Sequence, residues 1–229
     1  MFEKFRSFFI TERNGICSSG KNPPDPDICK LKLYVLGDSI SIHYGPFLQS
    51  YLEGLMHYSQ KDQKKEALLN IVPPQGIVGG DSSLVLSFLK AKKRLGGIDT
   101  DFMLLNCGLH DIRTDPINGK KQVPLCEYKK NLKSILKIME SFRTQLIWVR
   151  TTPIDEAIHN RYSLGFYRYF ADCIEYNCAA DYIMKDNNVP VVDLFNFTIN
   201  LGDNIFCDHV HFVEAVRKKQ AAYLAGWLA

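Results

Sequence analysis

Short apolar runs and longer periodic stretches alternate along most of this chain. Leu31–Leu36, Leu68–Val72, Phe102–Asn106, Leu146–Arg150 and Val189–Leu194 are aliphatic-rich segments too short for helices, so each predicts a buried strand. Between them, Leu132, Ile135, Leu136 and Met139 fall at i, i+3, i+4 and i+7, the spacing of one helix face. Leu84, Val85, Phe88 and Leu89 form a similar stripe, as do Phe166, Phe170, Cys173 and Ile174. A last helix is expected from about Glu214 to Leu228, packing Val216, Tyr223, Leu224 and Trp227. Strands that alternate with helices need crossovers, and right-handed crossovers cover both faces of a parallel sheet. The pattern therefore predicts an α/β protein, a three-layer α/β/α sandwich around a five-stranded parallel sheet. Ser18 to Asp27 concentrates Ser, Gly, Asn, Pro and Asp, a loop composition. Residues 1–30 are thus expected to form an N-terminal extension and linker, with Phe2, Phe5, Phe8 and Phe9 at helix-like spacing, and residues 31–229 a single domain.

Composition narrows the class of function. At 229 residues, 46% hydrophobic and 23% charged, the chain can bury a full core and has an ordinary globular balance. A net charge of +3 gives no reason to expect nucleic acid as a partner. The basic clusters Lys90, Lys92, Lys93, Arg94 and Lys129, Lys130, Lys133, Lys137 sit in helical stretches and read as solvated faces. Seven cysteines are scattered without a C-x-x-C pair, which argues against a zinc ribbon or redox motif and fits a reducing compartment. No run approaches the roughly 18 apolar residues of a membrane span, and the start lacks the apolar core of a signal peptide. A cytoplasmic location is the resulting expectation.

Chemistry collects where the strands end. In a parallel sheet the residues just past each strand gather at one edge, the edge where open α/β sheets bind ligands. There the chain places Gly37-Asp38-Ser39-Ile40-Ser41, then Gly79-Gly80-Asp81-Ser82, Gly108-Leu109-His110-Asp111, Thr151-Thr152-Pro153 and Asp208-His209-Val210-His211. Taken alone, Gly-Asp-Ser is ordinary turn chemistry. Together the segments hold a serine, glycine-rich backbone and an Asp-x-x-His. Acyl transfer at a serine needs a base for the hydroxyl proton, a carboxylate to orient that base, and donors aimed at the developing oxyanion. Asp208 and His211 can supply the first two from one rigid turn. Position 41 is serine, so Ser39 does not lie in the G-x-S-x-G elbow of the α/β-hydrolases.

Gly37-Asp38-Ser39, Gly80, Gly108-Leu109-His110-Asp111 and Asp208-x-x-His211, in that order, resemble the four blocks of the SGNH/GDSL hydrolases over residues 31 to 228. The resemblance implies a flavodoxin-like fold and hydrolysis of a small-molecule ester with no metal or other cofactor. By position, Ser39 matches the nucleophile, His211 the base and Asp208 its orienting carboxylate. Ser39 and Gly80 match the residues whose backbone N–H groups form the oxyanion hole, with Gly79 an alternative one residue away. The third block of the family commonly reads Gly-x-Asn-Asp, its asparagine being a further oxyanion donor. Here His110 stands at that position, as in subfamilies with Gly-Leu-His-Asp, and a neutral imidazole can still donate one N–H. A short O-acyl ester is the expected substrate, with a carbohydrate acetate or a lysolipid among the candidates.

Two other classes fit parts of the pattern. His110 and Asp111 with Asp208, His209 and His211 would suit a metal-dependent phosphoesterase, although no Asp-x-His precedes the first strand. A non-catalytic ligand-binding member of the fold is the other. Elsewhere, Asp81 and Ser82 read as caps of the helix near Leu84, Asp111 as a structural turn residue, and His209 as pointing away from the site. Arg113, Arg161 and Tyr162 read as surface or rim residues, with contact to a polar substrate as the alternative, and His43, His57 and His159 show no partner in the sequence.

Overall fold

The structure, a computed structural model, describes residues 30–60, 80–162 and 165–229. The extension expected before residue 30, the strand expected at Leu68–Val72 and Gly79 lie outside those residues. Within them a five-stranded sheet runs in the order β2-β1-β3-β4-β5, and every pairing is parallel. Its strands are β1 (Leu31–Leu36), β2 (Met56–Gln60), β3 (Phe102–Leu105), β4 (Gln145–Val149) and β5 (Val191–Val192). The expected three-layer α/β/α architecture is the one found.

Helices α1 (Ser39–Tyr51), α2 (Ser82–Arg94), α3 (Leu125–Met139), α4 (Glu156–Arg161), α5 (Phe170–Asp186), α6 (Leu194–Ile199) and α7 (Glu214–Leu228) connect and follow the strands. The chain goes from β1 outward to β2, then back across β1 to β3, so right-handed crossovers must put α1 and α2 on opposite faces. Packing follows that rule. Helix α1 lies against α7, while α2, α3 and α5 form the second row. Strand β3 is buried at every position, and Leu33, Met103, Leu105, Ile147 and Trp148 form the middle of the core. The helix stripe of Leu132, Ile135, Leu136 and Met139 is buried as its spacing predicts, whereas Lys129, Lys130, Lys133 and Lys137 are exposed. No described helix is long and apolar enough to cross a membrane.

Three departures have local causes. Strand β2 falls on Met56–Gln60, a short polar segment whose residues alternate between half-buried and exposed, so no apolar run marks it. Strand β5 is shorter than Val189–Leu194, because Pro190 has no N–H to give a ladder and Asp193 already caps α6 through the Asn196 N–H. Phe166 lies outside α5, which starts at Phe170.

Candidate active site

The order 2-1-3-4-5 places a topological switch point between β1 and β3, where the connections leave in opposite directions and open a crevice. Ser39 follows β1 on one side of it, and Gly108 to Asp111 follow β3 on the other. Leu36 ends β1, Gly37 turns the chain, and Asp38 caps α1 by accepting the Ile40 N–H at 3.0 Å. Ser39 is thus the first residue of a helix, where the backbone N–H has no intrahelical partner and the helix dipole is positive. A side chain on Gly37 would come within 2.9 Å of the Ser41 hydroxyl, which donates to the Asp38 carbonyl. The tight turn therefore selects glycine.

Ser39 Oγ is 2.8 Å from His211 Nε2, and His211 Nδ1 is 2.6 Å from Asp208 Oδ2. The sequence separates Ser39 from His211 by 172 residues. Asp208 Oδ1 accepts the N–H groups of Val210 and His211, each at 2.8 Å, so the carboxylate also builds the turn that carries the imidazole. Burial pushes the Asp208 carboxyl up, but those two N–H groups and the His211 ring outweigh it and hold the group at about 2. A carboxylate fixed this way leaves Nδ1 as the protonated ring nitrogen and Nε2 free to take the Ser39 proton.

The other expected site residues sit at the same edge. Gly80 is buried with φ +69°, a conformation that favours glycine, and Asp81 caps α2 through Ser83 and Leu84. The Ser82 N–H is bonded to both oxygens of buried Asp111, at 2.9 and 3.1 Å, which ties the Gly80 segment to the His110 segment. Asp111 is structural, as expected, and burial lifts its carboxyl to about 7. His110 is half-buried, and neither ring nitrogen bonds another described residue. Burial first, then Arg113 and Arg168, lower it to about 3, so at neutral pH the ring is uncharged and carries one N–H. Gly108 has φ +155°, and a Cβ there would sit 2.3 Å from Thr151 Oγ1. Thr151 is itself fixed by Asn177 of α5 through paired bonds of 2.9 and 2.8 Å.

Several neighbours were not evident from the sequence. The ring of His43 packs 4.6 Å from that of His211, and burial, then His211 and Arg217, lower its basicity. His43 is one helical turn beyond Ser39, so i, i+4 spacing was a usable signal. His209 points away from Ser39, as expected, but is half-buried and meets the buried His159 with Nδ1 atoms 2.8 Å apart. An open cleft of about 480 Å³ lies beside the triad, lined in part by Ile158, Tyr162, Phe206, Asp208 and His209. Among the described residues no group of three or more His, Cys, Asp or Glu is arranged to hold a metal ion. Asp111 is engaged by the Ser82 N–H, His209 by His159, and Asp208 and His211 by each other, so these side chains do not gather into one cluster.

No family model matches the sequence, and no curated relative does. Solved structures do match the fold. An acetyl xylan esterase superposes with a TM-score of 0.63 at 13% identity, covering 87% of this chain and all of its own. A lipase/acylhydrolase from Enterococcus faecalis gives 0.62 at 13% identity, over 86% of this chain and 95% of that one. A member of the lipolytic protein G-D-S-L family from Veillonella parvula gives 0.56 at 15% identity, over 85% and 96%. The chain has the flavodoxin-like α/β/α fold of these hydrolases.

Proposed function

We propose that the chain is a metal-independent serine hydrolase of the SGNH/GDSL type that cleaves a short O-acyl ester through an acyl-enzyme. The observation that carries this reading is the unbroken hydrogen-bond chain from Ser39 through His211 to Asp208. In the first step His211 Nε2 takes the Ser39 proton as Oγ attacks the acyl carbonyl, and the imidazolium that forms is stabilised by Asp208. The tetrahedral oxyanion is held by the Ser39 N–H at the start of α1, the Gly80 N–H and the neutral His110 ring. Each preorganised donor of this kind is worth about a hundredfold or more in rate. His211 then returns the proton to the leaving alkoxide, and a water activated by the same imidazole releases the acid.

The open cleft beside Asp208 offers room for the alcohol part of the ester. The acetyl xylan esterase among the matching folds is consistent with an acetylated carbohydrate as the alcohol part, and the lipase/acylhydrolase with a lysolipid. A panel of p-nitrophenyl esters of rising chain length, assayed on wild type and Ser39→Ala, is the direct test. Turnover should be fastest for acetate and absent in the variant, and a fluorophosphonate should label Ser39. Equal slow turnover of every ester by both proteins would refute the proposal.

A further inference from the structure

Two arginines stand beside the candidate oxyanion site with no carboxylate at ion-pair distance among the described residues. Arg168 is only 4% exposed, and its Nε donates to the Leu109 carbonyl at 2.7 Å. Arg113 is half-buried, and its Nε is buried without a hydrogen-bond partner. Their guanidinium carbons lie 4.9 and 4.5 Å respectively from the centroid of one ring, that of Phe166. An antiparallel bridge fixes the arrangement: Thr114 and Tyr167 exchange two backbone bonds of 2.8 Å, so the segments carrying the arginines and Phe166 are locked together. Burying a guanidinium without an anion is expensive, and a cluster of two is more so.

The two carboxylates that act on these arginines, Asp81 and Asp38, form no ion pair with them. Asp81 faces Arg113 electrostatically, but its Oδ1 accepts the Ser83 and Leu84 N–H groups and its Oδ2 accepts Gln122 Nε2. Asp38 acts on Arg168 in the same way, but its Oδ1 accepts the Ile40 N–H, its buried Oδ2 has no hydrogen-bond partner among the described residues, and the two groups form no ion pair. The pair is also part of the reaction centre. Both cations act on the His110 ring, Arg168 holds the carbonyl of its neighbour Leu109, and the Phe166 ring touches His159, the partner of His209 in the cleft wall.

We infer that Arg113 and Arg168, stacked on Phe166 beside His110, form the subsite for an anionic group of the substrate, so that the preferred substrates are O-acylated small molecules bearing a carboxylate or phosphate. Arginine is suited to this because its planar fork meets such oxyanions with paired, charge-assisted bonds. The inference rests on the esterase reading for its location but is tested without turnover. Full-length Ser39→Ala protein is titrated calorimetrically with para-acetoxybenzoate, its neutral methyl ester and para-acetoxyphenyl phosphate. At least one anion should bind about tenfold or more tightly than the methyl ester, the scale of a charged hydrogen bond. The better anion identifies the chemistry. Adding Arg113→Gln should bring the anion-to-neutral ratio close to one, and Arg113→Lys should keep part of it. A purely structural role would weaken all ligands alike and leave the ratio intact. Equal binding of charged and neutral esters, no binding of either anion, or a ratio that survives Arg113→Gln overturns the inference. Failure of the esterase reading shows separately, as absence of fluorophosphonate labelling in the wild type.

Discussion

Replacing Asp208 with Asn separates the roles of the two carboxylate oxygens. Oδ1 accepts two backbone N–H groups at 2.8 Å, and Oδ2 accepts the imidazole N–H at 2.6 Å. Asparagine has one oxygen, and the backbone pair claims it, because two fixed donors outweigh one rotatable ring. The amide nitrogen then faces His211 Nδ1 and donates to it. That bond selects the tautomer with its proton on Nε2, pointing at Ser39, where a base must be unprotonated. The turn survives while the base is lost. The corresponding change in a serine-protease triad costs about ten-thousandfold in rate, and a loss of 10³–10⁴, about 4–5.5 kcal/mol of barrier, is expected here. Stability should fall much less. The depressed Asp208 carboxyl, at about 2 against an ordinary 3.8, contributes stability that is present above pH 3.8 and lost as pH falls through 2. Because its side chain is 42% exposed, solvent screening keeps that contribution below about 1 kcal/mol. Paired measurements of kcat/KM on p-nitrophenyl acetate and of urea midpoints at pH 7 check both halves. A rate loss under tenfold, or unfolding of the variant, would refute the reasoning.

Other substitutions test other parts of the site. His110→Ala should lower kcat about a hundredfold or more with little change in KM, and His110→Asn should recover a large part of it; an unchanged kcat in the alanine variant excludes His110 as a donor. Gly108→Ala forces a side chain to φ +155° and to 2.3 Å from Thr151 Oγ1, so strain and overpacking together should cost about 2–5 kcal/mol by urea denaturation; a cost under about 1 kcal/mol would contradict the close approach. Asp111, raised by burial to about 7, adds stability that is full below its ordinary 3.8 and is lost as pH rises through 7. Asp111→Asn should therefore gain on wild type between pH 4 and pH 8, and parallel stability curves for the two proteins would refute the shift.

Legibility in the sequence followed how local each cause was. The bounds of β1 and α7 were readable because an aliphatic run and a helical stripe are properties of adjacent residues. Strand β2 was not, since His57 and Ser59 face solvent and only pairing with β1 makes the segment a strand. Ser39, Asp208 and His211 were readable as an ordered set of motifs, although their contact spans most of the chain. The arginine pair was not. Arg113 and Arg168 come from loops far apart in the chain that the Thr114–Tyr167 bridge joins, and Phe166 resembled the first residue of a helix stripe. His43 was within reach, because a helix starting at Ser39 places it one turn along the same face.

The packing of α1 on α7 has a consequence for where the site is vulnerable. The hydroxyl is positioned by the first turn of α1, and the imidazole by a turn that runs directly into α7. The proposed base and the proposed nucleophile are thus carried by different halves. The two helices come from opposite ends of the described domain and pack against each other in one layer. The Ser39–His211 contact therefore depends on α1 and α7 being packed together. In the proposed mechanism a substitution at the α1–α7 interface, far from the hydroxyl, would then cost turnover by shifting one half of the site against the other.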